Sequence, residues 1–399
     1  MKSKGRELYH YKGSINEIED VEDFDKQKEK ILIFLNQEFQ NKKLNIFIGS
    51  GCSVPAIPLM GATIENIVSV DVNIGISKKI DEYIELQNKR LNSKEQLEKE
   101  SFGDIESFLT WLGKGIDFEK DETIRGSYQK IYDSLKTHFM ATIPRFDDEK
   151  YTTGTLGNYI NFYQYIFSKR KEESPKLNVF TTNYDLFNEY AFEKCKIRYT
   201  TGFDTGLNQN FNINQFSYRL VDSQERYKDR WQPTSKEANL YKLHGSINWV
   251  EKSNNLVQNN EASEDTENII IYPTALKHQE TRQSPYSELF RELSVQLQKS
   301  SSTLVILGYG FGDDHINNII SQNLNNSDFT LIVFGDVNEK GLKKFKELNQ
   351  PSNFHIIGGK TTECTEKCEA RCCCLKAHWF SEIISHFINN QGEEGKDNE

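Results

Sequence analysis

Short apolar runs recur along the chain, and each ends in a polar or glycine-rich turn. The runs are Leu44–Ile48, Leu177–Thr181, Leu240–Leu243, Ile269–Tyr272, Thr303–Leu307 and Leu331–Phe334. Runs this short, rich in β-branched residues, predict strands buried on both faces. Between them apolar positions fall at helical spacing, over Phe24–Phe39 (Ile31, Leu32, Phe34, Leu35, Phe39), Leu186–Phe192, Tyr286–Leu297 and Asp314–Leu324. From about residue 62 to 170 the pattern is helical and rich in Lys and Glu, as in Ile80–Leu91 and in Ile105–Leu112. Strands alternating with helices predict an α/β fold: a doubly wound, mostly parallel, Rossmann-like sheet with an inserted helical module. The expected division is an N-terminal arm and helix over 1–40, one domain over 41–388, and a disordered tail over 389–399. The opening segment is expected to be a mobile arm or an oligomer contact, and residues 251–268 an exposed polar loop. No internal repeat of fixed period is visible.

Composition narrows the partners. A chain of 399 residues has room for a sizeable core, and 49 basic against 59 acidic residues leave a net charge of -10. That balance argues against a surface built to coat nucleic acid, so direct nucleic-acid binding is not expected. No apolar run is long enough to span a bilayer, and Met1-Lys-Ser-Lys-Gly-Arg6 lacks a signal-peptide core. The expectation is a cytoplasmic protein without a membrane contact. Of 7 cysteines, Cys52 and Cys195 stand alone, while Cys364, Cys368, Cys372, Cys373 and Cys374 crowd together. This is not a disulfide framework. With His378 the cluster has ligands enough for zinc, yet its spacing fits a two-residue knuckle poorly. Exposed, non-ligating thiols, dispensable for chemistry, are the expectation there.

Candidate chemistry sits where strands end, because ligands of open parallel sheets bind outside the carboxyl ends. After Leu44–Ile48 comes Gly49-Ser50-Gly51-Cys52-Ser53, a turn without bulky side chains that lets backbone approach a pyrophosphate, or an ordinary strand-to-loop turn. In Thr181-Thr182-Asn183-Tyr184-Asp185, Asn183 offers both donor and acceptor, to a ribose hydroxyl or a water. Asp185 is equally suited to capping the helix that follows. His244, before Gly245-Ser246, is a structural histidine or an acid/base group titrating near neutral pH. Gly308-Tyr309-Gly310-Phe311-Gly312-Asp313-Asp314 enters a helix, either as a turn capped by Asp314 or as a second wall against a nucleotide. Asp313 would repel phosphates, so it is expected to face a ribose or cap the helix.

Gly49-Ser-Gly-Cys-Ser53, Ala56-Ile57-Pro58, Thr181–Asp185, His244-Gly245-Ser246 and Gly308-Tyr309-Gly310 occur in the order and context of the sirtuin-like fold. The set resembles the divergent sirtuin-like proteins of bacterial anti-phage systems. That resemblance implies an NAD⁺ site in which Gly49, Ser50, Gly51 and Ser53 hold the pyrophosphate. Asn183 and Asp185 would lie by the nicotinamide ribose, and His244 would be the catalytic histidine. Gly308 and Tyr309 would flank the adenosine half, and Asp336 would meet the adenine ribose. Departures matter too. Protein-deacylating sirtuins carry a paired-cysteine zinc module after the catalytic histidine, and no cysteine lies here between His244 and Gly308. Leu59-Met60-Gly61 stands where they continue with Asp-Phe-Arg, and Thr182 where they usually have Gln.

The resemblance therefore implies an NAD⁺ glycohydrolase with water as acceptor and no metal at the active site. An NAD-dependent protein deacylase, or a subunit that binds NAD⁺ or ADP-ribose without turnover, are the competing readings. It further implies regulation by homo-oligomer assembly or by a separate polypeptide, such as a HerA-type DNA-translocating ATPase.

Overall fold

A computed structural model describes residues 6–41, 43–58, 75–89, 105–141, 143, 149–171, 173–227, 230–252, 255–259, 268–270, 284–361 and 376–388. In the first half the strands are β1 (Arg6–Lys12), β2 (Ile15–Asn16), β3 (Lys43–Ile48), β4 (Leu177–Thr181) and β5 (Arg198–Thr200). Next come β6 (Val221–Tyr227), β7 (Arg230–Pro233), β8 (Glu237–Lys242), β9 (Gly245–Lys252), β10 (Asn255–Gln258) and β11 (Asn268–Ile270). The last three are β12 (Ser302–Leu307), β13 (Thr330–Phe334) and β14 (Phe354–Thr361). Helices α1 (Phe24–Phe39), α2 (Ile76–Asn88), α3 (Ile105–Phe118), α4 (Glu122–Ala141), α5 (Glu149–Lys169) and α6 (Phe187–Lys194) precede β5. Helices α7 (Tyr286–Leu297), α8 (Asp314–Leu324), α9 (Lys340–Leu348) and α10 (Phe380–Ile383) lie in the C-terminal part.

The main sheet runs β2-β1-β14-β13-β12-β3-β4-β8-β5. From β14 to β5 every neighbour is parallel. Alternate residues explain the double cover. Leu44, Ile46, Ile48, Val305 and Leu307 face a core shared with α1, α5 and α6, whereas Phe47, Leu304 and Ile306 face one shared with α7, α8 and α9. Both sides of each strand are thus apolar, as a buried parallel sheet requires. A row of amides pins the register: Asn178 Nδ2 donates to Asn45 Oδ1 (3.0 Å), and Asn239 Nδ2 to Asn178 Oδ1 (3.2 Å). Within the helical insertion, α2, α3 and α4 bury a separate cluster around Tyr83, Phe108 and Leu112, while Tyr159, Phe162 and Tyr163 of α5 belong to the main core.

Three expectations change. Arg6–Lys12 is not a mobile arm: it pairs antiparallel with β14 along its full length. Gln27 of α1 helps to hold it, its Oε1 accepting from Leu8 N at 2.9 Å. The run begun at Ile269 is not a parallel strand. It is β11, which pairs antiparallel with β9 in a separate three-stranded sheet, with β10 on the far side of β9. That sheet also takes in part of the expected exposed loop, as Glu251–Lys252 and β10. The cysteine cluster and the tail beyond 388 lie outside the described residues.

A paired histidine feature ties β1 to β14. His10 Nε2 and His355 Nδ1 are 3.0 Å apart, and Phe34 packs against both rings at 4.6 Å. Burial, with Lys12 adding repulsion, lowers His10 to about 4 and His355 to about 3; His10 itself adds to the second shift. Unfolded, both titrate near 6.5. The unfolded chain thus binds more protons between these limits, so this contribution is intact above about pH 6.5 and lost as pH falls toward 3. Melts from pH 7 to 4 should show a falling midpoint, and His10→Gln should flatten the fall. An unchanged slope in the variant would remove the pair as its source.

Candidate active site

Strands β3 and β12 are neighbours, yet the chain proceeds from β3 to β4 on one side and from β12 to β13 on the other. The order reverses between them, the position where open α/β sheets form a ligand crevice. Gly49 follows β3 and Gly308 follows β12, so both glycine turns open on this point.

The turns touch through backbone. Gly49 N donates to Leu307 O at 2.8 Å, and Gly51 N to Gly308 O at 2.9 Å. A Cβ on Gly49 would sit 2.3 Å from Gly308 O, and one on Gly308, whose φ is +63°, would sit 2.5 Å from Cys52 N. Neither position accepts a larger residue without moving the other wall. Gly49→Ala is expected to destabilise the chain by about 1–3 kcal/mol or more, read as a lower denaturation midpoint; an unchanged midpoint would show that the walls part easily. The Gly49 and Gly51 N–H groups are thereby engaged with the opposite turn. Ser50 opens the short helical turn Ser50–Ser53 and is exposed.

Beneath the glycine turn lies a closed polar network. Asn183 Nδ2 donates to Gly49 O and to Ser53 Oγ, each at 3.1 Å. Ser53 Oγ donates to Asp185 Oδ2 at 2.8 Å and lies 3.0 Å from Tyr159 Oη. One hydroxyl hydrogen suffices only if Tyr159 is the other donor. That agrees with burial and the Asp185 carboxylate holding the Tyr159 phenol well above its ordinary value. Asp185 Oδ1 accepts from Phe187 N at 3.1 Å, so both its oxygens serve the start of α6 and the glycine turn. Burial raises its pKa, opposed by the Lys242 charge. The Cys52 thiol beside it is fully buried and pushed up by burial and by Asp185, which makes it packing rather than a nucleophile.

Asn183 is different. Its backbone N donates to Thr181 Oγ1 at 3.0 Å, and Gly49 O, purely an acceptor, fixes which end of the amide is nitrogen. Its Oδ1 is then a buried acceptor with no hydrogen-bond partner among the described residues. Such an atom costs about 1–3 kcal/mol unless something donates to it.

His244 arrives from β8. Leu243 N donates to Thr181 O at 2.8 Å, and Ile247 N to Tyr184 O at 3.0 Å, so the histidine turn is sewn to the Asn183 turn. Gly245, at φ +88°, turns the chain from the main sheet into β9. His244 is 5% exposed, with Nε2 3.2 Å from Asp313 Oδ2. The other oxygen of Asp313 accepts from His315 N (3.0 Å) and Ile316 N (3.2 Å), so Asp313, not Asp314, caps α8. Tyr309 packs its ring on Phe47 and its hydroxyl on Asn317 Oδ1 at 3.0 Å. Asp336 follows β13 and accepts from Asn338 N at 2.9 Å, stabilising its own turn.

Sequence reasoning missed Tyr159, Lys242 and the second role of Asp313. Lys242 is wholly buried; its Nζ donates to the carbonyls of Tyr184 and Asp185 and lies 3.2 Å from Glu189 Oε1. A lysine inside an apolar strand must have such partners, and that was the available signal. Among the described residues no group of three or more His, Cys, Asp or Glu is arranged to hold a metal, and no helix is long and apolar enough to cross a membrane.

Residues 177–350 match the family model of the SIR2-like domain, which supports a sirtuin-like family and an NAD-related activity. The match covers Asn183, Asp185, His244, Gly308, Tyr309 and Asp336, but not the turn at 49–53. Hydrogen bonds from Gly51 to Gly308 and from Asn183 to Gly49 join that turn to the matched part. No curated protein matches the chain.

Proposed function

We propose that the chain is an NAD⁺ glycohydrolase. The bond between nicotinamide and ribose breaks, nicotinamide leaves with the electron pair, and water supplies the new C–O bond while losing a proton. The products are nicotinamide, ADP-ribose and H⁺. The observation that carries this reading is Asn183 Oδ1, a buried acceptor without a donor among the described residues, at the sheet's reversal point. It suits a ribose hydroxyl or the attacking water. His244 takes the proton, and the Asp313 carboxylate 3.2 Å away favours the charged imidazole that results. Asn183 is held by Gly49 and Ser53, so its position is set before substrate arrives. The developing oxocarbenium character is the charge this arrangement must tolerate.

The resemblance extends the proposal to NAD⁺ depletion in anti-phage defence in the cytoplasm, with self-assembly and a HerA-type ATPase as the restraint. Incubation with NAD⁺, with and without an acetylated peptide, tests the chemistry. Peptide-independent nicotinamide release is the expected result. Release that requires the peptide would make the chain a deacylase, and binding without release, even with its partner, a sensing subunit.

A further inference from the structure

The main sheet has a cavity at its other end. It measures about 370 Å³ and is lined by Lys176, which precedes β4, by Arg198, which opens β5, and by Glu237, which opens β8. The glycine turns and His244 lie past the opposite strand ends, some 15–20 Å away at about 3.3 Å per residue. Nothing in the chemistry above uses this cavity.

Its charges are out of balance. Lys176, Arg198 and Arg219 all line it. Glu237 is committed, its Oε2 accepting from Arg219 Nε and its Oε1 from Leu220 N, both at 2.8 Å. Asp204, also on the wall, accepts at Oδ1 from Asn212 Nδ2 (2.9 Å) and Gln215 Nε2 (2.8 Å). Among the described residues Lys176 Nζ finds neutral acceptors, Asn239 Oδ1 at 3.1 Å and Phe216 O at 3.4 Å. Arg198 has no carboxylate partner among the described residues. Burial depresses Lys176, opposed by the Glu237 carboxylate and helped by the Arg219 charge, while burial and Arg219 hold nearby Arg170 at about 10. A chain with net charge -10 thus gathers cations at one concave place.

The remaining walls suit more than an ion. Phe203 is buried and Tyr218 is 58% exposed at the cavity, an aromatic face open to a planar ring. Gln215 and Gln258 also line it, Gln215 Nε2 held by Asp204 and Gln258 Oε1 accepting from Thr201 Oγ1 at 2.8 Å. The volume falls within the range of small-molecule sites and far exceeds that of a phosphate. From these walls we infer that the cavity binds a phosphomonoester of mononucleotide size, its phosphate held by Lys176, Arg198 and Arg219 and its base against Tyr218. The site is independent of the glycohydrolase reading, because binding is measured without turnover.

Titration calorimetry of the full chain with AMP, adenosine and inorganic phosphate tests it. Arg198 is exposed, so Arg198→Glu should fold normally; it is expected to weaken AMP binding at least tenfold. Lys176→Gln should act in the same direction, and adenosine should bind at least tenfold more weakly than AMP. AMP binding equal in wild type and both variants would place AMP elsewhere and overturn the inference. So would the absence of AMP binding at millimolar concentration, or inorganic phosphate binding as tightly as AMP.

Discussion

His244→Ala is expected to lower nicotinamide release from NAD⁺ by roughly a hundred- to ten-thousand-fold, the usual cost of losing a positioned acid/base group. The fold should survive. The histidine turn is fixed by backbone bonds from Leu243 N to Thr181 O and from Ile247 N to Tyr184 O, which the substitution leaves in place. NAD⁺ affinity should change little, so the loss falls on turnover. Asp313→Asn separates the partners: asparagine still caps a helix, so α8 should persist while the charge facing His244 is removed. A drop of roughly ten- to a hundredfold is expected there, smaller than for His244→Ala because the imidazole itself remains. Full activity in His244→Ala, with normal folding, would refute the assignment of the proton transfer to this residue. Asn183→Ala should be as inactive but also less stable, because its amide holds Gly49 and Ser53.

Lys242→Met should cost about 3–5 kcal/mol of stability, because it removes one member of a buried ion pair and strands the other. Lys242 is completely buried and Glu189 is 5% exposed. Burial already raises the Glu189 pKa, with the Lys242 charge as the chief opposing influence, and Glu189 Oε2 has no hydrogen-bond partner among the described residues. The variant would also leave the carbonyls of Tyr184 and Asp185 without this donor, loosening the turn that presents Asn183. Urea denaturation measures the loss. Lys242→Met combined with Glu189→Leu should recover much of it, since an apolar pair of similar size leaves no stranded charge. A single variant as stable as the wild type would mean that water reaches the pair.

The apolar strands were legible because both of their faces are buried, which leaves a run that composition alone reveals. Helices α1, α7 and α8 were equally plain, their apolar positions recurring at helical spacing up to the residues where they end. Strand β1 was not. Arg6-Glu-Leu-Tyr-His-Tyr-Lys12 is mostly polar, and its burial depends on β14, a partner nearly the whole chain away. The run begun at Ile269 read as a parallel strand because three successive isoleucines look alike in either kind of sheet. At the site, the glycines, Asn183 and His244 could be read from strand ends, whereas Tyr159 could not. It reaches Ser53 from inside the helical insertion, a contact 106 positions apart that no local pattern announces. Asp313 and Asp314 are adjacent acids, and only backbone geometry decides which one caps.

The contact of Gly49 with Gly308 has a consequence for synthesis. Ribosomes deliver roughly 5–20 residues per second, so the first glycine turn emerges tens of seconds before the second. Until then β3 has no β12 beside it, and the crevice has a single wall. A polypeptide interrupted anywhere before Gly308 lacks the surface against which Gly49 and Gly51 are fitted. The two-walled crevice is therefore withheld from premature-termination fragments and is completed only in chains that extend past Gly308.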